Sequence, residues 1–246
     1  MRRILVTNDD GIDSAGLHAL ARALVPLGEV IVFAPSREYS GAGAGIGHIG
    51  GGIAEVHRLQ RPELEGVAAA YAFDGPPALA ALLAIQGLFG AVPSVVVSGI
   101  NPGWNVGRAV HFSGTIGAAL TAEQLGIPGV AVSQRTGGLQ QWDTAAEVAA
   151  ALVAELDGEP VSLNVNVPNL ARHELAGTRH TTLSDRIPYQ LHRARLEPVD
   201  DHDDDGVRHL VRFEMDGPYD NSIGTDTEAV EAGYVSITRL RPTTHW

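Results

Sequence analysis

Short apolar runs that alternate with helix-forming segments constrain the fold of this chain more than any other feature of its sequence. The runs are too short for helices and too apolar for exposed loops, which is typical of strands buried on both faces of a parallel sheet. The predicted strands are residues 4–6, 29–34, 93–98, 129–133 and 161–167. The predicted helices are residues 14–27, 76–88, 118–125 and 144–156. Such alternation produces βαβ units, so we predict an α/β fold with a doubly wound, mostly parallel sheet.

The length of 246 residues fits one large α/β domain as well as two small ones, and we favour a single domain over residues 1–246. We expect an α/β core over about residues 1–185, an extended arm over about 186–232, and a returning strand and tail over 233–246. In the arm, residues 191–199 and 207–215 flank Asp200-Asp-His-Asp-Asp-Asp205, which predicts a β-hairpin with a charged, solvated tip. The tip lacks the Gly and Glu positions of an EF-hand calcium loop.

Composition narrows the classes of partner. The formal net charge of −12 argues against binding to a nucleic-acid duplex, because neutralising phosphates requires clustered Lys and Arg. The chain has no cysteine, so disulfides, thiolate catalysis and Cys-ligated metals are excluded. No signal-peptide pattern and no run of roughly 20 apolar residues is present, so we expect a cytoplasmic protein without a membrane partner.

Two adjacent carboxylates follow the first predicted strand, in the sequence Asn8-Asp-Asp-Gly11. The carboxyl ends of strands are where open α/β sheets bind their ligands. Neighbouring carboxylates repel each other unless a cation or a shared proton lies between them, so Asp9 and Asp10 indicate a hard divalent metal. The alternative is that one of them merely caps the next helix.

Polar, glycine-flanked loops also follow two other predicted strands, and all of these loops would meet at one edge of the sheet. Ser40 lies in the first loop, and Asn101 and Asn105 lie in the second. Together with Asp9 and Asp10 they offer carboxylate, hydroxyl and amide oxygens, a set that suits Mg²⁺ or Mn²⁺ better than zinc.

A further loop, Ser113-Gly-Thr115, precedes a predicted helix and offers hydroxyls and backbone N–H groups to an anion. Taken alone, the segment is an ordinary helix cap, as Asn101-Pro-Gly103 taken alone is an ordinary turn. An anion-binding loop beside a metal site indicates phosphoryl chemistry.

Several motifs of the chain resemble, in order and spacing, those of the SurE family of metal-dependent survival-protein phosphatases. They are Thr7-Asn-Asp-Asp-Gly11, Ala34-Pro-Ser-Arg-Glu-Tyr-Ser-Gly41, Val97-Ser-Gly-Ile-Asn-Pro-Gly-Trp-Asn-Val-Gly107, Ser113-Gly-Thr-Ile-Gly117, Leu163-Asn-Val-Asn-Val-Pro168 and Gly233-Tyr-Val-Ser-Ile-Thr238. The resemblance spans almost the whole chain. It implies a Rossmann-like domain whose C-terminal arm is exchanged between subunits, and hydrolysis of nucleoside 5′- or 3′-monophosphates and sometimes short polyphosphate.

The resemblance also implies a set of site residues. One divalent ion per subunit, Mg²⁺ or Mn²⁺ with Ca²⁺ as an alternative occupant, would be held by Asp9, Asp10, Ser40 and Asn101. The phosphate of a small substrate would lie against Asn8, Asn105, Ser113, Gly114 and Thr115. Asp9 and Asp10 are the candidate catalytic residues. The attacking group is either water on the metal or one of the two carboxylates, and of these two Asp9 is preferred over Asp10.

Assembly follows from the same resemblance and from the apolar residues of the C-terminal third. These are Tyr189, Leu191, Val211, Phe213 and Tyr234, and they are difficult to bury on one small arm. We therefore expect a homodimer formed by arm exchange, with a homotetramer as the higher state.

The chain departs from the family pattern in the loop of residues 41–52, where Ala44 and Gly45 replace His and Ser, and at Gly75-Pro-Pro77. Tyr39 also occupies a position where a basic residue is common. These changes leave open a phosphatase specialised for a non-nucleotide phosphate, such as a sugar or metabolite phosphate, or a metal-binding homologue without catalysis. A calcium-dependent nucleoside hydrolase is a poor match, because Thr7 and Ser14 stand where further aspartates would be needed.

Overall fold

The computed structural model describes residues 2–47, 54–185, 191–203, 206–215 and 222–241. Some predictions fall outside these residues: the end of the glycine-rich loop, Tyr189, the tip residues Asp204 and Asp205, and the tail from residue 242. The side chains of Leu191 and Phe213 are not described either.

A nine-stranded sheet forms the body of the protein, and a two-stranded sheet lies beside it. The strands are β1 (Arg3–Thr7), β2 (Glu29–Pro35), β3 (Val56–Leu59), β4 (Ala69–Phe73), β5 (Val95–Pro102), β6 (Gly129–Gln134), β7 (Ser162–Val167), β8 (Thr178–Thr181), β9 (Leu191–Asp203), β10 (Gly206–Met215) and β11 (Val235–Leu240). The order in the large sheet is β3-β4-β2-β1-β5-β6-β7-β11-β8. The central strands from β4 to β7 are parallel, whereas β3 and β11 run antiparallel to their neighbours β4 and β7. The predicted α/β fold with a mostly parallel sheet is confirmed.

The direction in which the chain winds reverses between β1 and β5. From β1 the chain passes outward to β2 and β4, and it then returns to β5 on the other side of β1. This reversal is the topological switch point of a doubly wound sheet, where a crevice opens between the loops at the carboxyl ends of the strands. The predicted metal ligands lie at this edge of the sheet: Asp9 and Asp10 in the loop after β1, Ser40 in the loop after β2, and Asn101 near the end of β5.

Helices cover both faces of the large sheet. They are α1 (Ala15–Leu24), α2 (Pro77–Ile85), α3 (Gly114–Gln124), α4 (Trp142–Glu155) and α5 (Asp226–Glu231). α1 packs against α4 on one face, and α2 packs against α3 on the other. Ile4 and Val6 of β1 join the first cluster and Leu5 joins the second, so every side chain of this stretch is buried. Burial on both faces explains why the strand is apolar without alternation.

Some elements differ from the prediction. α3 begins at Gly114 rather than at residue 118, because the Ser113 side chain caps it by accepting a hydrogen bond from the N–H of Ile116 at 3.2 Å. The predicted helix over 76–88 ends at Ile85, and the predicted strand over 93–98 continues to Pro102. β3, β4, β8 and α5 were not predicted.

The predicted C-terminal β-hairpin is confirmed. β9 and β10 pair antiparallel, and Glu197 in this hairpin forms ion pairs with Arg195 and Arg212 at 2.8 and 2.9 Å. α5 follows the hairpin and packs against β7, β8 and β11 of the large sheet. In the part of the chain that is described, no helix combines the length and the hydropathy needed to cross a bilayer.

Candidate active site

A cleft of about 310 Å³ opens at the switch point, above the carboxyl ends of β1 and β5. The four predicted metal ligands line it, and so do two of the predicted phosphate-binding residues. The lining residues from these two groups are Asp9, Asp10, Ser40, Asn101, Asn105 and Ser113. The structure thus brings together side chains from the loops after β1 and β2, the end of β5, and the start of α3.

Asp9 is almost fully buried, with 3% of its surface exposed, and the first turn of α3 holds it. The hydroxyl of Thr115 donates a hydrogen bond to its Oδ1 at 2.5 Å. Burial raises the pKa of Asp9, and the hydrogen bonds from Thr115 and Gly114 oppose that rise. A Cβ at Gly114 would lie 2.9 Å from both Cβ and Oδ2 of Asp9, so only glycine lets the helix start approach this carboxylate so closely.

Asp10 lies beside Asp9 in a site that disfavours its negative charge. Burial, followed by the charges of Asp9 and Glu38, raises the pKa of Asp10 to about 7. Its Oδ2 is buried, and among the described residues it has no hydrogen-bond partner. A cation bound between the two carboxylates would supply the missing partner and remove the repulsion. Neither aspartate caps α1, whose N-cap residue is Ser14, so the capping alternative is wrong.

Backbone contacts bring Ser40 to this pair of carboxylates. The N–H of Tyr39 donates to the backbone oxygen of Asp9 at 2.7 Å, which ties the loop after β2 to the loop after β1. The Ser40 hydroxyl then donates to Glu38 Oε1 at 2.8 Å. Glu38 therefore adds a third carboxylate to the rim of the cleft.

Asn101 reaches the cleft because β5 is irregular at its end, where the pairing with β6 shifts register between Ser98 and Asn101. Its side-chain nitrogen donates to the backbone oxygen of Gly103 at 2.7 Å. This contact leaves the amide oxygen of Asn101 as the atom that can ligate a cation.

These donors fit a hard divalent cation. Two carboxylates, a hydroxyl and an amide oxygen match the preference of Mg²⁺ or Mn²⁺ for oxygen. The buried Oδ2 of Asp10, for which the described part of the chain offers no hydrogen-bond partner, needs a positive neighbour. Within the described residues, no group of three or more His, Cys, Asp or Glu side chains is placed to hold a metal ion. A cation would therefore depend on the neutral oxygens of Ser40 and Asn101 and on water.

The predicted phosphate-binding residues divide into two sets. Asn105 and Ser113 line the cleft, and Asn105 is firmly held because its backbone N–H donates to Asn166 Oδ1 and its side chain donates to Ser133, both at 2.8 Å. Asn8, Gly114 and Thr115 are buried behind it, and the side-chain nitrogen of Asn8 donates to the backbone oxygen of Gly11 at 3.0 Å. The residues of this second set support the loops behind the cleft.

Sequence reasoning missed several residues of the cleft. Trp104 and Phe112 line it, and the guanidinium of Arg135 lies 5.0 Å from the centre of the Trp104 ring. Tyr39, at the position where a basic residue is common, makes a defined contact of its own. Its hydroxyl donates to Asp74 at 2.5 Å, and Arg37 donates to the same carboxylate at 3.0 Å. An aromatic residue inside a Gly- and Asn-rich turn was the available signal for Trp104.

Comparison with known proteins shows matches over most of the chain. Residues 4–189 match the family model described as "Survival protein SurE". The 5′-nucleotidase SurE of Nitrosococcus oceani is 38% identical, and the match covers 97% of this chain and 91% of that protein. The 5′-nucleotidase SurE of Xanthomonas euvesicatoria pv. vesicatoria is 39% identical, over 97% of this chain and 89% of that protein.

A solved structure shows the same likeness in three dimensions. The crystal structure of the SurE protein from Aquifex aeolicus superposes with a TM-score of 0.77 at 32% sequence identity, over 99% of this chain and 95% of that chain.

Proposed function

The chain belongs to the SurE family, and from this premise we propose that it is a divalent-metal-dependent phosphomonoesterase that hydrolyses nucleoside monophosphates in the cleft at the switch point. Its curated relatives are named 5′-nucleotidases, which supports the substrate class. The observation that carries the proposal is the convergence of Asp9, Asp10, Ser40 and Asn101 on one cleft. There, Oδ2 of Asp10 is buried with no hydrogen-bond partner among the residues that the structure describes.

The residues of the cleft divide into those that would hold the metal and those that would bind phosphate. Asp9, Asp10, Ser40 and Asn101 would hold one Mg²⁺ or Mn²⁺ per subunit. A bound divalent ion supplies positive charge to the phosphoryl group. Ser113, at the N-terminus of α3, offers its hydroxyl and the adjoining N–H groups to phosphate oxygens.

The attacking group is either water or the Asp9 carboxylate. Thr115 holds Oδ1 of Asp9, and the backbone of Gly114 packs against Oδ2. Because both carboxylate oxygens contact the start of α3, Asp9 is poorly placed to move towards phosphorus. This packing supports water as the nucleophile, with Asp9 kept as a ligand of the cation.

The altered loop after Ser40 supports a second candidate, a phosphatase for a non-nucleotide phosphate ester. Gly43 in this loop has φ +56° and donates its N–H to the backbone oxygen of Phe112 at 3.0 Å. A Cβ at Gly117 would lie 2.2 Å from the oxygen of Gly43. The small residues of this loop therefore let it pack on the start of α3. They provide no polar side chains that could bind a nucleobase or ribose.

A substrate panel tests these alternatives. We would incubate the protein with 5′-AMP, 3′-AMP and ribose 5-phosphate, in Mn²⁺, in Mg²⁺ and in EDTA, and measure inorganic phosphate and free base. The proposal predicts metal-dependent phosphate release that is faster from a nucleotide than from ribose 5-phosphate. Faster release from ribose 5-phosphate would favour the second candidate. Free base would indicate a nucleoside hydrolase, and Mn²⁺ binding without either product would indicate a non-catalytic homologue.

We further propose that the chain folds as one domain and forms a homodimer through the hairpin. Support for one domain is that β11, after the hairpin, inserts between β7 and β8 of the large sheet.

Support for the dimer is that Leu196, Leu210 and Val211 of the hairpin are 67%, 53% and 60% exposed. Light scattering should show a dimer that Val211→Glu weakens and that Leu139→Glu, at an exposed site outside the hairpin, leaves intact. A monomeric wild type would refute this assembly. A cytoplasmic location is proposed with it, to be checked by cell fractionation.

A further inference from the structure

We propose that Asp226, the first residue of α5, is a positioning residue for the cleft: through the backbone N–H of Gly107 its carboxylate fixes the segment that presents Asn105 and Ser113. This segment, residues 103–113, is called the cleft wall below. The inference concerns the same site as the proposed function and rests on it. It adds a residue that lies far from the cleft in sequence.

The Asp226 carboxylate is fully buried, with 0% of the residue exposed, and accepts hydrogen bonds from several separate segments. Its Oδ2 accepts from the N–H of Gly107 at 2.8 Å. Its Oδ1 accepts from the N–H of Ser184 and from that of Thr227, both at 2.9 Å. One side chain thus joins the cleft wall, the segment after β8 and the start of α5.

The chemistry of this site selects aspartate. All three close partners are backbone N–H groups, so the site requires a side chain with two acceptor oxygens. Burial raises the pKa of Asp226, and the hydrogen bonds from Gly107, Ser184 and Thr227 oppose that rise. In an asparagine, the Nδ2 group would have to face one of these N–H donors, and that contact would be lost.

Gly107 connects this carboxylate directly to the cleft. It begins the turn of 3₁₀ helix over Gly107–Phe112, which leads into Ser113, and it follows Asn105 by two residues. Its φ of +55° is a left-handed conformation that glycine adopts without strain. A fixed N–H at this point therefore determines where the chain on both sides of it enters the cleft.

α5 also reaches the cleft wall from its other end. Glu231, the last residue of α5, pairs with Arg135 at 3.1 Å, and the Arg135 guanidinium lies over the ring of Trp104. One end of this short helix therefore contacts the cleft wall directly, and the other end is connected to it through Arg135. Because α5 follows the hairpin in the chain, the position of the wall depends on how the chain returns from the hairpin to the large sheet.

Asp226→Asn is the test, with Glu228→Ala as its matched control on the same helix. Glu228 pairs with Arg179 at 2.9 Å on the side of α5 that faces β8, so its loss weakens the anchoring of α5 without touching Gly107. For each protein we would measure kcat and KM for 5′-AMP with Mn²⁺, the Tm, and amide hydrogen exchange over residues 106–113. Wild-type protein should show a strongly protected Gly107 amide.

The inference predicts that Asp226→Asn lowers kcat/KM about tenfold or more, since displacing a positioning group by about 1 Å can cost as much as a hundredfold. The Gly107 amide should also exchange faster. Glu228→Ala should lower the Tm by a smaller amount, because its ion pair is partly exposed, and keep kcat/KM within about twofold of the wild type.

Equal losses of kcat/KM in the two variants would overturn the inference, and so would an unprotected Gly107 amide in the wild type. The second readout needs no variant, so it decides the matter even if Asp226→Asn does not fold. If the wild type releases no phosphate from any substrate, the proposed function fails, while the exchange of the Gly107 amide still tests the contact itself.

Discussion

Replacing Thr115 by valine removes one hydrogen bond from the most buried carboxylate of the site and changes the shape of the side chain very little. In the structure the Thr115 hydroxyl donates to Asp9 Oδ1 at 2.5 Å, and both residues are almost inaccessible to water. A hydrogen bond to a charged group contributes roughly 1.5–3 kcal/mol, and no solvent can replace this one. Because the hydroxyl favours the ionised form of Asp9, its loss raises the pKa of that carboxyl further above its usual range.

The expected consequence is weaker metal binding. A cation needs the ionised carboxylate, and 1.4 kcal/mol corresponds to a factor of ten, so Thr115→Val should lower the affinity for Mn²⁺ by about 10- to 150-fold at neutral pH. The deficit should grow as the pH falls, since protons compete more strongly for Asp9. Titration of the free Mn²⁺ signal by electron paramagnetic resonance measures the affinity directly.

Thr115→Ser is the matched control, because it retains the hydroxyl and removes only a methyl group. It should bind Mn²⁺ within a few-fold of the wild type, in keeping with the smaller energy of a methyl group. If Thr115→Val binds Mn²⁺ as tightly as Thr115→Ser across the pH range, then Asp9 does not depend on this hydrogen bond or does not ligate the metal. Either result would refute the reasoning about the start of α3.

Two further predictions concern the same carboxylates. Gly114→Ala places a Cβ 2.9 Å from Asp9 Oδ2, so it should destabilise the fold by about 1–3 kcal/mol and weaken Mn²⁺ binding. Gly28→Ala, whose Cβ would lie 2.1 Å from the backbone oxygen of Arg2 at the opposite end of β1, should lower the Tm and leave Mn²⁺ affinity unchanged; equal Mn²⁺ affinities in the two variants would contradict this. In metal-free protein, the pKa of Asp10 is raised from 3.8 to about 7, so between these pH values the folded state holds a proton that the unfolded state has released. The free energy of unfolding should therefore fall as the pH rises through this range, by at most about 4 kcal/mol. Denaturant unfolding from pH 4 to 7 measures this, and an Asp10→Asn protein with the same pH dependence as the wild type would show that Asp10 is not its source.

The fold was predictable from the sequence where burial leaves a pattern in the residues. β1 is packed on both faces, so Ile4, Leu5 and Val6 form an apolar run that indicates a strand of a parallel sheet. β4 was missed because its sequence, Ala-Ala-Tyr-Ala-Phe, is rich in alanine, which has little preference for strands. Its place is set by pairing with β2 and β3, and that information is not local.

Some residues of the site could be predicted from the sequence and others could not. The carboxyl ends of parallel strands share one edge of the sheet, so the sequence could bring Asp9, Ser40 and Asn101 together, and the structure places them around one cleft. Asp226 could not be found by this reasoning, because its partner Gly107 is 119 residues away and the contact depends on the return of the chain after the hairpin. Contacts between residues so far apart in the chain produce no motif or regular spacing by which the sequence alone would reveal them.

Asp9→Asn removes the charge of the most buried carboxylate in the cleft and keeps its shape, so its turnover shows whether catalysis depends on this carboxylate. We would measure phosphate release from 5′-AMP by the wild type and by Asp9→Asn at saturating Mn²⁺, with the Tm as the control for folding. The account predicts that Asp9→Asn remains folded and loses at least about two orders of magnitude in kcat, since Asp9 serves both the metal and the substrate. An Asp9→Asn protein with near-normal turnover at saturating Mn²⁺ would contradict it.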